Sequence, residues 1–522
     1  MIYSYQVKQQ MLAPTCTDYP KTQAYQLPRT GPERETLRKK GQFWTPDWTA
    51  DIMVAYVLQE KPSRLLDPAL GEGVFFRAAK RYARSHDFDL ALFGRDIDPD
   101  VIGQARMSGL DDNDLQNVEM RNFVLDPPSE LFPAIIANPP YIRHHRLSPA
   151  QKEYLSEFAR NVTGRHIDAR AGLHVYFLIR ALQSLAPDGR LAYIVSADIC
   201  EGVFAHALWQ WICSHYRLDV VITFASEATP FPDVDTNALV FLIRNARPAN
   251  DFDWVKCLDR DPKEVTALIA GQKQKNYHGI QVHSRILSEG LATGLSRPPS
   301  EGTKPQYTLG DFASVMRGIV TGDNDFFFMT SARAKELEIP DNLLVKAVGR
   351  MRDIQGEYFD QEDLHRLEAK GRPTRLLNVN GLSFETLPPS VQKYLEDGEK
   401  TGLTNKTLIK TRKPWYRMEI RKIPPILFAY LGRRSARFIR NRADVVPLTC
   451  LLCVYPKDSS PEFVEHLWKV LSNREVIDNL KKVGKSYGGD AIKVEPRSLE
   501  RLCITGVNPP IFDYYEPSVI LR

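Results

Sequence analysis

From Gly41 to Asn245 short β-rich runs alternate with segments of helical spacing, and this alternation restricts the fold more than any other feature of the chain. The runs are Ser63–Asp67, Leu90–Ile97, Ala134–Asn138, Arg190–Ser196, Leu218–Phe224 and Ala238–Ile243. Between them Trp48–Leu58, Val74–Ala83, Pro99–Met107, Gly172–Leu185 and Val203–Tyr216 repeat apolar residues at helical intervals. A strand that re-enters its sheet through a helix lies parallel to its neighbour, so the class is α/β: a mostly parallel sheet with helices on both faces. Such sheets bind ligands beyond the carboxyl ends of their strands. Residues that directly follow the runs are therefore the first candidates for chemistry.

Past Asn245 the alternation stops. Asn245–Pro248 has the composition of a linker, and turn-rich stretches such as Thr321–Asp325 and Pro424–Pro425 follow it. At roughly 100–200 residues per domain, a chain of 522 residues holds two to four. The division expected here is an N-terminal extension over 1–40, an α/β domain over 41–247 and a mixed α+β domain over 248–522. No apolar run approaches the roughly 20 residues that span a bilayer, and no apolar segment follows the first residues, so no membrane contact and a cytoplasmic location are expected. Seven sparse cysteines suit reduced thiols; Cys450 and Cys453 lie in an apolar, strand-like run without a second ligand pair, which reads as core rather than a zinc site.

Charge is unevenly placed. Residues 1–245 carry 26 Lys and Arg against 29 Asp and Glu, whereas residues 246–522 carry 43 against 35. Within Thr404–Arg442 stand 12 basic residues and one acid, Glu419, interleaved with Trp415, Tyr416, Phe428, Tyr430 and Phe438. That density is a footprint suited to a phosphate backbone; a solvated charged face is the plainer reading.

Three strings follow strands. The first run ends in DPALGEG, Asp67–Gly73, where Gly71 and Gly73 let the backbone turn tightly against a ligand and Asp67 attracts a cationic group. The second ends in GRDIDP, where Asp96 suits the diol of a ribose and Asp98 suits the cap of the next helix. A phosphate-free nucleoside with a positive centre satisfies both acids, and S-adenosylmethionine is such a ligand. The third string is NPPY, Asn138–Tyr141, directly after the apolar Ala-Ile-Ile-Ala. Its prolines stiffen an extended turn, which can hold the Asn138 side-chain oxygen and the Pro139 carbonyl as two acceptors beside the Tyr141 ring. Such a site fits a planar group with an exocyclic amine.

With these strings the chain resembles the N6-adenine DNA methyltransferases of the gamma motif order, the type II restriction–modification class with a TaqI-like C-terminal target-recognition domain. The resemblance runs from about residue 41 to the end. It implies a Rossmann-like S-adenosylmethionine-dependent catalytic domain and site-specific methylation of N6 of an adenine in double-stranded DNA. GQFWTP, Gly41–Pro46, is similar to the family's first motif, which places Thr45 and Pro46 against the methionine part of the cofactor. DPALGEG assigns Asp67, Pro68, Ala69, Gly71 and Gly73 to the cofactor turn, with Leu70 where the family often has Cys. Asp96 and Ile97 fall at the ribose and adenosine position. Asn122 and Phe123 stand where Asp-Phe is frequent, the polar residue on the adenine amine and the ring beside it.

For catalysis the resemblance implies Asn138, Pro139, Pro140 and Tyr141, with Phe231 of PFPDVDTN (Pro230–Asn237) covering the other face of a flipped base. DNA would lie between the domains, and the sulfonium donor needs neither metal nor covalent intermediate. RGIVTGDNDFF (Arg317–Phe327), RKPWYR (Arg412–Arg417) and YGGDAIKVEP (Tyr487–Pro496) look like target-recognition motifs. From them and the basic stretch the DNA-binding candidates are Arg317, Thr321, Asn324, Arg412, Lys413, Trp415, Tyr416, Arg433 and Arg434. A prokaryotic cytoplasm, a monomer and a separately encoded cognate endonuclease complete the implied setting. The rival readings are NPPY chemistry on RNA or protein glutamine, and a silent DNA-binding subunit. His144-His145 and His174 read as surface or packing residues rather than metal ligands.

Overall fold

The computed structural model describes residues 44–504 apart from 201, 233–236, 273–275, 299–306, 420, 430–435 and 488–490. The extension expected over 1–40 lies outside the described residues, as do Arg433 and Arg434. The chain divides into two compact units, Met1–Pro299 and Ser300–Arg522.

The first unit is built on one sheet of nine strands in the order β3-β2-β1-β4-β5-β7-β6-β8-β9. These are β1 Arg64–Asp67, β2 Ala91–Asp96, β3 Val118–Met120, β4 Phe132–Ala137, β5 Leu185–Ser196, β6 Arg217–Phe224, β7 Ala238–Arg244, β8 Asp251–Cys257 and β9 Ile280–Ile286. All six β-rich runs are strands. The first five neighbours pair parallel; β7 is inserted antiparallel between β5 and β6, and β9 closes the far edge antiparallel to β8.

Alternation along the strands feeds two cores. On β4, Ile135 and Ala137 enter one cluster while Ala134 and Ile136 enter the other, and on β5 Tyr193 and Ile194 divide in the same way. Successive side chains leave opposite faces of a strand, so the clusters lie on opposite faces of the sheet. Helices α1 Asp47–Val57, α2 Val74–Ser85 and α3 Val101–Met107 cover one face. Helices Pro149–Thr163, Leu173–Gln183 and Ala205–His215 cover the other.

Two joints place the site. Gly73, at φ 72°, caps α2 in the left-handed region, where a Cβ would meet Leu110 Cδ1 at 2.4 Å. Pro46 heads α1 with φ −65° and ψ 148°, and its carbonyl accepts from the N–H of Thr49 and Ala50.

The first compact unit runs on past residue 247, where the boundary was expected. Asn245–Pro248 is a short loop, after which β8 pairs parallel to β6 and β9 pairs with β8. Trp254 joins one core and Val255 the other, so 248–299 belongs to the first unit.

The second unit is mixed α+β. Its strands β10 Ala313–Arg317, β18 Leu451–Pro456, β15 Ile426–Ala429, β16 Arg437–Asn441 and β13 Tyr358–Phe359 form a five-stranded sheet in that order. A four-stranded sheet runs β11 Phe328–Met329, β14 Arg375–Leu377, β12 Leu344–Val348 and β17 Val446–Pro447, and β19 Lys485–Tyr487 pairs with β20 Ala491–Lys493. Helix Pro461–Leu471 lays Val464, Leu467 and Trp468 against Phe428, Phe438 and Leu452 of the larger sheet. Cys453 is buried on β18, and burial pushes its thiol up to about 11 and that of Cys450 to about 12. Among the described residues no helix is long and apolar enough to cross a membrane.

Candidate active site

A cavity of about 570 Å³ opens at the carboxyl ends of β1, β2 and β4. Its volume is in the range of a site for a cofactor-sized ligand. The DPALGEG turn, the second-strand acid and the NPPY turn all reach it: Pro68, Ala69, Gly71, Asp96, Ile97, Asn138 and Pro140 line it, together with Thr45, Asn122 and Phe123.

The turn after β1 is held from several sides. Gly71 takes φ 52°, and its N–H donates to Asp96 Oδ2 at 3.1 Å, joining the ends of β1 and β2. Asp96 Oδ1 accepts from the N–H of Ile97 at 2.8 Å and of Asp98 at 3.0 Å. Asp98 in turn accepts from the Asp100 N–H at 3.2 Å, ahead of α3. From α2, the buried Arg77 donates to the Glu72 carbonyl at 2.8 Å, and Ser108 Oγ donates to the same oxygen at 2.8 Å. A charged side chain with 2 % exposure on the apolar face of α2 thus acts as a strut for the turn.

Asp67 lies behind this wall rather than on it. Its Oδ1 accepts from the Ala69 N–H at 3.1 Å, while Oδ2 is buried without a hydrogen-bond partner among the described residues. Burial, helped by the charge of Asp96, pushes the carboxyl up to about 8 against the stabilising Ala69 N–H. A buried carboxyl in this state gains from a nearby cation. Pro46 and Gly73 also stand behind the wall, where they shape α1 and α2.

Asn122 bonds within its own turn. It reaches the cavity, but its Oδ1 accepts from the N–H of Val124 and Leu125, both at 3.1 Å. Capping its own turn occupies the oxygen expected to meet an adenine amine, because a short amide side chain bonds its local backbone readily. Phe123 has 2 % exposure and packs against Phe177, with ring centroids 5.5 Å apart.

At the end of β4, Asn138 Nδ2 donates to Thr45 Oγ1 at 3.0 Å. Pro139 is buried, and Tyr141 is not among the residues that line the cavity. The Tyr141 hydroxyl donates to the Ile194 carbonyl at 3.2 Å, and its ring stacks on His174 with centroids 5.9 Å apart and planes 29° from parallel. His174 is buried, with both ring nitrogens lacking hydrogen-bond partners among the described residues. Burial lowers its tendency to protonate, and Asp198 partly offsets that. Phe231 is half-buried against the other core, with its N–H on Thr229 Oγ1 at 3.4 Å.

Other wall residues had no role assigned from the sequence: Trp44 and Glu72 lie inside GQFWTP and DPALGEG, whereas Leu173 and Phe177 belong to no motif. Leu173 and Phe177 begin a helix whose spacing was legible, but which residues of it face a ligand depends on how it lies across the sheet.

In the second unit the candidates separate into supports and exposed groups. Arg412 donates to the carbonyls of Thr321 at 2.8 Å and Val320 at 2.7 Å, so its guanidinium holds a loop. Tyr416 and Thr321 are buried, and the Thr321 hydroxyl bonds Asn324 Oδ1 at 2.6 Å. Trp415 donates to Glu399 at 2.6 Å and packs on Phe326 and Phe327. Lys413, Asn324 and Arg317 are exposed, the last paired with Glu495. Among the described residues no cluster of His, Cys, Asp or Glu could hold a metal ion.

Residues 33–247 match the family described as N-6 DNA Methylase, and residues 301–513 match the C-terminal domain of the Type II methyltransferase M.Eco57I. The chain carries an N-6 DNA Methylase domain followed by an M.Eco57I-type C-terminal domain. This methylase is similar to the Type II methyltransferase M.AccI of Acinetobacter calcoaceticus, 24% identical over 477 residues, which cover 90% of this chain and 85% of the relative. It is also similar to M.XamI of Xanthomonas campestris pv. amaranthicola, 25% identical over 484 residues, which cover 89% and 85%. Its fold is shared with the type IIL restriction-modification enzyme MmeI, solved in complex with DNA, at a TM-score of 0.55 and 12% identity over 90% of this chain and 64% of that one. The C-terminal match and both of these relatives are named as Type II methyltransferases. The chain's N-terminal match ends at 247 and its C-terminal match begins at 301, which leaves β8 and β9 as an extension of the methylase sheet.

Proposed function

We propose that this methylase transfers a methyl group from S-adenosylmethionine to N6 of an adenine extruded from duplex DNA, and so protects DNA at one site within a restriction–modification system. The observation that carries the reading is that Asn138 and Pro140 line the same cavity as Gly71 and Asp96. An amine clamp and a nucleoside site that share one cavity suit direct transfer between their occupants.

The residues present fit the cofactor. Asp96 stands at the wall and Asp67 is a buried carboxyl behind it that a cation would favour in its charged form, Gly71 brings backbone close, and Phe75, Phe123 and Phe177 supply apolar wall. When bound, the cofactor supplies an activated methyl on a sulfonium. The protein's part is orientation, a large share of the rate when reacting atoms are held in line. The Asn138 oxygen and the Pro139 carbonyl accept from the two N6 protons and aim the nitrogen lone pair at the methyl. Tyr141 and Phe231 hold the ring faces of a base that must leave the stack to be reached. The exposed basic residues of the second unit bind phosphate.

The test is methyl transfer from labelled S-adenosylmethionine to unmethylated duplex DNA, with nucleoside mass spectrometry of the product. Wild type yields N6-methyladenine, and Asn138→Ala loses at least ~100-fold in rate while it still binds cofactor. Label in RNA or in protein glutamine, with none in DNA, would replace the substrate; cofactor binding without any transfer would point to a silent subunit.

A further inference from the structure

The place of Thr45 in GQFWTP points to the cofactor, yet its hydroxyl oxygen accepts from the Asn138 side chain. We propose that Thr45 is a positioning residue that sets the orientation of the Asn138 carboxamide, a role that rests on the function proposed above. The amide of an asparagine presents two unlike ends, an oxygen that accepts and an NH₂ that donates, and rotation about Cβ–Cγ exchanges them. An exocyclic amine is served only by the oxygen. With Nδ2 donating to Thr45 Oγ1 at 3.0 Å, the nitrogen is held and the oxygen is the end offered to an amine.

The anchor is a firm one. Thr45 has 3 % exposure and directly precedes Pro46, whose φ of −65° and ψ of 148° start α1. The Pro46 carbonyl accepts from Thr49 and Ala50, and α1 is buried along Ala50, Ile52, Met53 and Val54. The Thr45 oxygen is thereby fixed in place, and in the folded protein it meets the nitrogen end of the amide. Thr45 and Asn138 also line one cavity, so the group that steadies the clamp stands at the wall of the cofactor site. This coupling spans 93 residues of sequence.

Full-length wild type, Thr45→Val and Thr45→Ser separate this role from plain cofactor contact. Val keeps the shape without the hydroxyl, and Ser restores the hydroxyl. The readouts are affinity for S-adenosylhomocysteine, single-turnover methyl transfer at saturating cofactor and DNA, and the side-chain NH₂ resonances of Asn138 in ¹⁵N-asparagine-labelled protein. Those resonances are assigned by their loss in Asn138→Ala.

Thr45→Val is expected to lower the single-turnover rate about 10- to 100-fold with little change in cofactor affinity, and Thr45→Ser to return to within a few fold of wild type. The Asn138 NH₂ is expected to shift and exchange faster in Thr45→Val alone. Weaker cofactor binding with an unchanged single-turnover rate would overturn the proposal, as would an unchanged Asn138 NH₂ signal in Thr45→Val. The resonance is read without any substrate. Failure of wild type to methylate DNA would therefore remove the functional reading while the amide measurement still decides the role of Thr45.

Discussion

Asp67 couples the stability of the apo protein to its affinity for a cation. Its carboxyl is at about 8 in the folded protein because of burial, against 3.8 when exposed. Between these values the folded state keeps a proton that the unfolded state has lost, so this group's contribution is full below 3.8, falls as pH rises, and levels off above about 8. Asp67→Asn should remove that slope, and denaturant unfolding across this window compares it directly with wild type. A cationic ligand must expel the same proton. Cofactor affinity of wild type should therefore rise with pH up to about 8, approaching tenfold per unit. Titration calorimetry should find Asp67→Asn weaker and nearly pH-independent. A wild-type affinity flat with pH would show that Asp67 is already ionised before the ligand arrives.

At the scale of elements, one basic segment contains two kinds of residue. Arg412 closes hydrogen bonds to Val320 and Thr321 and is half-buried, whereas Lys410, Lys413 and Arg417 of the same segment are exposed. Counterion release predicts that each phosphate contact adds about 0.9 to the slope of log affinity against log salt. Replacing Lys410, Lys413 and Arg417 with Ala should weaken DNA binding and flatten that slope. Arg412→Ala should instead lower the melting temperature of the second unit by loosening the 320–321 loop, with a smaller effect on the slope. Equal slope changes from Arg412→Ala and Lys413→Ala would contradict the division into supports and contacts. Charge density alone could not make the distinction, because it depends on carbonyls some 90 residues away.

For the whole molecule, the sheet decides where the chain can be cut. A fragment ending at residue 247 loses β8 and β9, which exposes β6 as an edge and removes Trp254 and Val255 from the two cores. A long apolar edge invites pairing with other chains. The fragment 1–299 should be soluble and unfold cooperatively in circular dichroism melts, while 1–247 should aggregate or melt without a transition. A soluble, cooperative 1–247 fragment would mean that β8 and β9 merely decorate the sheet.

Local order was legible in the sequence. The six strand runs, the turn at DPALGEG and the stiff Asn138–Tyr141 turn depend on near neighbours: glycine at positive φ, proline after a strand, apolar residues at a fixed period. Their common location followed too, since parallel strands carry their carboxyl ends to one edge. Packing decided the rest. Asn122 spent its oxygen on its own turn, Arg77 became a strut for the cofactor turn, and His174 came to lie against Tyr141. Thr45 reached Asn138 because the folded α1 carries it beside the end of β4. The strand order β5-β7-β6-β8 likewise departs from chain order. A residue's neighbours in the chain govern its backbone, but its partners in space are chosen by the sheet on which distant elements meet.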